Sequence, residues 1–126
     1  RLQANAFNHA STYFADVVWT GQSTRHVRAG VEQAINLDQL RDCWRSISPM
    51  SYFDKFCRHP KKSLVVYATY DLTFLPEFSR QVVAEFARHG CDHRTAVLPC
   101  GHYVTGETPF KYMDAWHLCR FFETAF

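Results

Sequence analysis

Two patterns of apolar positions divide the chain near residue 62. Beyond it, SLVVYATYD (63–71) is a continuous run of apolar, β-branched and aromatic residues, which predicts a strand covered on both faces, as in a parallel sheet. PEFSRQVVAEFARHG (76–90) changes to three-and-four spacing. Phe78, Val82, Val83 and Phe86 fall on one stripe, Pro76 opens the helix and Gly90 closes it. HRTAVLP (93–99) predicts a second strand. TPFKYMDAWHLCRFFETAF (108–126) predicts a closing helix, capped by Thr108, begun by Pro109 and turned inward through Phe110, Met113, Trp116 and Phe121.

Before residue 62 the pattern is mostly helical. LQANAFN (2–8) suits a short strand, NHAST (8–12) a turn, and TYFADVVW (12–19) an apolar segment ending near Gly21. Residues 24–34 suit a helix. NLDQLRDCWRSI (36–47) suits another, with Asn36 as N-cap and Leu37, Leu40, Cys43, Trp44 and Ile47 along one face. SPMSYFDKF (48–56) predicts a third, short helix capped by Ser48 with Pro49 at its first position. The order is therefore strand, helical insert, strand, helix, strand, helix. Such alternation predicts an α/β fold: a short parallel sheet of about three strands, joined by crossovers, with flanking helices and a cap-like insert. The expected organisation is a single domain over 1–126, with the insert at 13–62 and a βαβα unit at 63–126.

Composition narrows the functional classes. The chain has 126 residues, 47% apolar, 16% aromatic and 21% charged, the balance of a globular domain with a substantial core. Its net charge is +2, with no basic run beyond RHPKK (58–62), so neither nucleic acid nor a membrane surface is an expected partner. No apolar stretch has the length of a membrane span, and the N-terminus lacks a signal-peptide layout. The five cysteines, Cys43, Cys57, Cys91, Cys100 and Cys119, lack the dense spacing of a disulfide scaffold; reduced thiols and a cytoplasmic location are expected.

Candidate chemistry lies at the strand ends. In open parallel sheets, reactive side chains stand just past the carboxyl ends of strands, where loops present them without breaking the ladder. Asp71 follows LVVYATY directly, and His102 follows AVLPCG directly. If their strands are neighbours, a carboxylate at one tip can fix the tautomer of an imidazole at the next, leaving its other nitrogen to take a proton. Gly101 is expected to give the backbone a tight turn before the histidine.

The pair of segments YATYDLTFLPEFS and LPCGHYVTGETPFKY resembles the acid loop and the histidine loop of the α/β-hydrolase fold family. The resemblance covers 63–126 through these motifs and 1–62 by position alone. It implies that Asp71 is the acid and His102 the general base of a Ser, Asp, His triad, and that the insert occupies the place of a cap over the site. The sequence departs from the family in having no G-x-S-x-G elbow and no oxyanion-hole loop. The resemblance then implies the C-terminal part of a serine hydrolase acting on ester, amide or thioester bonds with a small acyl substrate, without a cofactor, and inactive by itself. Its first strand would lack a neighbour, so self-association or association with a missing N-terminal half through that edge is expected.

Three other readings stand beside this one. Ser11 and Ser23 are possible nucleophiles, but neither sits between elbow glycines. A non-enzymatic binding or assembly module could keep the sheet without the reaction. CDH (91–93), CGH (100–102) and HLC (117–119) offer zinc ligands, although none has the C-x₂₋₄-C spacing of structural zinc sites, so no metal is expected. Cys43 and Cys119 read as core filler, and Cys100, next to the histidine, as the thiol worth testing for reactivity. The aromatic residues of the insert, among them Tyr13, Trp19, Trp44 and Phe53, fit a packed helical layer or a lid over an apolar substrate.

Overall fold

A computed structural model describes residues 2–126. Three strands, β1 (Ala4–Asn8), β2 (Lys62–Ala68) and β3 (His93–Leu98), form one sheet in the order β1-β2-β3. Both pairings are parallel, with Ala6 opposite Leu64 and Val66 opposite Ala96. The continuous apolar run thus becomes the central strand. Leu64, Val65, Val66 and Ala68 are all buried, because β2 has a neighbour at each edge and helices on both faces.

Successive β2 side chains alternate between two cores. Leu64, Val66 and Ala68 join Ala4, Ala96, Leu98 and Phe121 on the face covered by α6 (Phe110–Ala125). Val65 joins Phe53, Val82 and Phe86 on the face covered by α5 (Pro76–Arg88). Phe86 lies at the centre of an aromatic cluster, its ring centroid 5.0 Å from Phe53, 5.6 Å from Phe56 and 6.0 Å from Phe7. Such tilted and edge-on contacts suit ring quadrupoles. Gly90 ends α5 in the left-handed region at φ 64°, as a helix-terminating glycine does.

The insert is helical but more broken than its periodicity predicts. It holds α1 (Phe14–Thr20), α2 (Arg25–Val31), α3 (Leu37–Cys43) and a single-turn α4 (Phe53–Phe56), with 3-10 turns at Arg45–Ile47 and Pro49–Tyr52. Asn36 caps α3 as expected: its side chain accepts from Gln39 N, and the Gln39 side chain accepts from Asn36 N, each at 2.9 Å. The helix stops at Cys43, where Trp44 leaves helical geometry at φ −100° and ψ 15°. Leu40 is buried, whereas Cys43 and Ile47 are exposed. Ser48 does not cap the next turn. Its hydroxyl donates to Trp44 O at 2.8 Å instead.

Two further expectations are corrected. Trp116 is 61% exposed; α6 turns Phe110, Met113, Leu118 and Phe121 to the sheet, which leaves position 116 on the outer side. Cys57 and Cys91 are joined in a disulfide, while Cys43, Cys100 and Cys119 are free. The fold brings the end of α4 and the end of α5 to a Cα separation of 6.0 Å, a proximity that sequence spacing does not reveal. The bond spans 34 residues. Its reduction, or a Cys57→Ser change, should therefore lower unfolding free energy by about 4 kcal/mol through the greater freedom of the unfolded chain. Urea denaturation with and without dithiothreitol measures the difference, and coincident curves would contradict it.

Candidate functional site

Both loops at the carboxyl end of the sheet are held in place by backbone hydrogen bonds. Beyond β2, Thr69 N donates to Leu98 O at 2.9 Å and Tyr70 N to Cys100 O at 3.0 Å, so the acid loop and the histidine loop zip together past the end of the ladder. Gly101 relieves crowding rather than making the tight turn expected of it. Its φ of −94° is open to any residue, but an added Cβ would stand 3.2 Å from Tyr70 O. The insert is anchored to the same loop: Gln22 N donates to Leu72 O at 2.7 Å. At Gly21 a side chain would meet Val17 O at 2.5 Å and Thr73 O at 2.9 Å.

Asp71 is the centre of the site. Its side chain is 1% exposed. Oδ1 accepts from Thr73 N and Phe74 N, each at 2.8 Å, the local turn that an aspartate makes with its own following backbone. Oδ2 lies 2.9 Å from Nδ1 of His102 and 3.1 Å from Nδ1 of His9. Burial pushes the carboxyl upward, but the hydrogen bonds from His9, His102, Thr73 and Phe74 outweigh it and hold the group at about 2, against an ordinary 3.8. An acceptor that carries no proton at neutral pH requires both Nδ1 atoms to donate. Each neutral imidazole then keeps its lone pair on Nε2.

His102 is a quarter exposed and forms one wall of a cleft of about 300 Å³ with Ser23, Tyr70, Thr73 and Tyr103. Its ring stacks on Phe74, with centroids 5.3 Å apart and planes 21° apart. The cleft is thus an apolar notch with one imidazole at its side. Ser23 faces the same notch, but its hydroxyl is engaged with Thr73 Oγ1 at 2.9 Å.

The residue that the sequence reading missed is His9. It falls within the expected NHAST turn and stands directly beyond β1, in line with Asp71 beyond β2 and His102 beyond β3. The expected strand over 2–8 ends where β1 does, at Asn8, so the strand-end rule, applied to the first strand as well, points to His9. Its φ of 55° places a non-glycine residue in the left-handed region, a cost of order 1 kcal/mol or more that the surroundings must sustain. His9 N donates to Val66 O at 2.8 Å, prolonging the ladder by one bond while the side chain turns to Asp71. The two imidazoles meet edge to face, with centroids 5.0 Å apart.

A larger cavity of about 500 Å³ runs along β1 and under the insert, lined by Phe7, His9, Ser11, Phe53, Phe74 and Phe86 among others. His9 Nε2 and Ser11 Oγ are buried without a hydrogen-bond partner among the described residues. Ser11 therefore has no base engaged with it. Cys100 is buried, and burial, followed by the charges of Asp71 and Asp114, pushes its thiol upward. It should accordingly react with iodoacetamide at neutral pH more slowly than exposed Cys43 or Cys119; peptide mapping of a brief labelling checks the order.

The cysteine and histidine pairs proposed for zinc do not assemble. Cys91 is taken by the disulfide. Among the described residues, the group of three or more potential ligands is His9, Asp71 and His102.

Neither a family model nor a curated protein matches the chain by sequence. Solved structures do match. An acylaminoacyl peptidase from Pyrococcus horikoshii covers 96% of this chain with a TM-score of 0.71 at 16% identity. A hydrolase from Pseudomonas aeruginosa PA01 covers 97% with a TM-score of 0.51 at 14% identity. The fold is a partial α/β-hydrolase-like one. The likeness is distant and structural, and the chain spans 20% of the length of the first protein and 56% of the second. No described helix is long and apolar enough to cross a membrane.

Proposed function

We propose that the chain supplies the acid and base of a serine-hydrolase site, with Asp71 orienting His102 and the nucleophile contributed from outside these 126 residues. The observation that carries this reading is the 2.9 Å contact between Asp71 Oδ2 and His102 Nδ1, made across neighbouring strand tips by a carboxylate fixed on its other oxygen. In this arrangement His102 Nε2 accepts the proton of an attacking hydroxyl and returns it to the leaving group, while Asp71 stabilises the imidazolium formed between those steps. The substrate class is an ester, amide or thioester, and the apolar notch beside His102 suits a small acyl or leaving group.

The nucleophile-bearing segment would pair with the outer edge of β1. That strand lies at the border of the sheet, and an unpaired edge is a template for another strand. Expressed alone, the chain should self-associate, which sedimentation at several concentrations measures; a monomer at every concentration would contradict the pairing.

The missing elbow and the second imidazole on Asp71 favour an alternative, a binding module that keeps the sheet without turnover. A fluorophosphonate probe and p-nitrophenyl acetate separate the readings when applied to the chain alone and to the longest reading frame that contains it. The hydrolase reading expects no labelling of the chain alone and serine labelling with turnover in the longer protein. Inertness of the longer protein supports the binding module, and labelling of Ser11 or Ser23 in the short chain would overturn both.

A further inference from the structure

We propose that His9, Asp71 and His102 form a zinc site, with the ion held by Nδ1 of each imidazole and Oδ2 of the carboxylate. The three strand tips bring these ligand atoms within 4.8 Å of one another. Both nitrogens already approach the same oxygen, at 2.9 Å and 3.1 Å. Zinc bonds of about 2.0–2.1 Å in tetrahedral geometry set ligand atoms roughly 3.3 Å apart. The two nitrogen–oxygen separations therefore need to open by only a few tenths of an ångström, while the two nitrogens, within 4.8 Å of each other, would draw in toward the same spacing.

Three features select a borderline transition ion. Two imidazole nitrogens with one carboxylate oxygen are a donor set that zinc accepts and that calcium or magnesium, which prefer all-oxygen shells, do not. The carboxylate is anchored by the Thr73 and Phe74 backbone N–H groups on Oδ1, the kind of outer support that orients a ligand. Among the described residues, the side chains bonded to Asp71 are these two neutral imidazoles, so its negative charge is available to a cation. The partly exposed edge of His102 beside the cleft gives a way in, and three protein ligands leave a fourth position for water.

Metal at Nδ1 requires the proton of each imidazole to move to Nε2, with no net change in protons bound. Nε2–H cannot accept a proton. If the hydrolase reading holds, zinc therefore closes the site by removing the base; this consequence rests on that reading, whereas the binding does not.

Titration calorimetry of zinc-free chain with zinc chloride tests the site without any activity assay. One ion per chain is expected, with affinity falling at least tenfold in His9→Asn and in His102→Asn and unchanged in His93→Asn, His117→Asn and a Cys43→Ser/Cys119→Ser double variant. Cobalt substitution supplies a second readout: the visible bands of a tetrahedral site should appear in the parent and be lost in the His9 and His102 variants, whose folding is checked by urea midpoint. Absent stoichiometric binding, or binding that survives both of those changes, overturns the proposal.

Discussion

Asp71→Ala should lower unfolding free energy by about 3–5 kcal/mol, the largest single-residue loss of stability expected among the charged positions. The substitution removes one buried carboxylate that accepts from four donors. The backbone N–H groups of Thr73 and Phe74 and the two Nδ1–H groups would all lose their acceptor. At a typical urea slope of roughly 1.5 kcal/mol per molar, the midpoint moves down by about 2–3 M. Asp71→Asn retains an oxygen for Thr73 and Phe74 and should cost less.

The pH dependence has a definite sign. Since the carboxyl sits at about 2 in the fold, against 3.8 ordinarily, its contribution of roughly 2–3 kcal/mol is complete above pH ~4 and disappears as pH falls through ~2. The gap between wild type and Asp71→Asn should therefore narrow between pH 4 and pH 2. Equal gaps at pH 7 and pH 2 would mean that Asp71 does not hold its charge through these hydrogen bonds.

The second large effect is on rate. In a protein that also carries the nucleophile, His102→Ala should lower kcat by about 10⁴–10⁶-fold, with KM nearly constant, since the imidazole acts on the proton in flight and not on the bound substrate. Asp71→Asn should approach the same loss by a different route. An amide nitrogen facing the rings donates where the carboxylate accepted, which favours the tautomer with its proton on Nε2. The two variants together should be little worse than either, because they disable one unit. Full activity in His102→Ala would remove the acid and base role altogether.

Much of this architecture was legible in the sequence because its signals are local. The apolar run at 63–71 is short and rich in β-branched and aromatic residues, as a covered strand is; Pro76 and Gly90 bracket α5, and Asn36 with Gln39 forms the cap of α3. The tips of β2 and β3 were found by the same means, and with them Asp71 and His102. Trp116 was misplaced because α6 is apolar on more than one side, so periodicity alone does not say which side meets the sheet.

What the sequence determined by itself was the strand and helix order and the two loops that end in a carboxylate and an imidazole, since propensity, capping and apolar period act over a few residues. Tertiary structure alone decided that His9, a strand-tip residue in the sequence, turns its imidazole to Asp71 and that Cys57 meets Cys91. Both depend on which strand tips and helix ends the chain brings side by side, and that is set by packing across 34 to 62 residues of sequence, a distance at which no local pattern carries information.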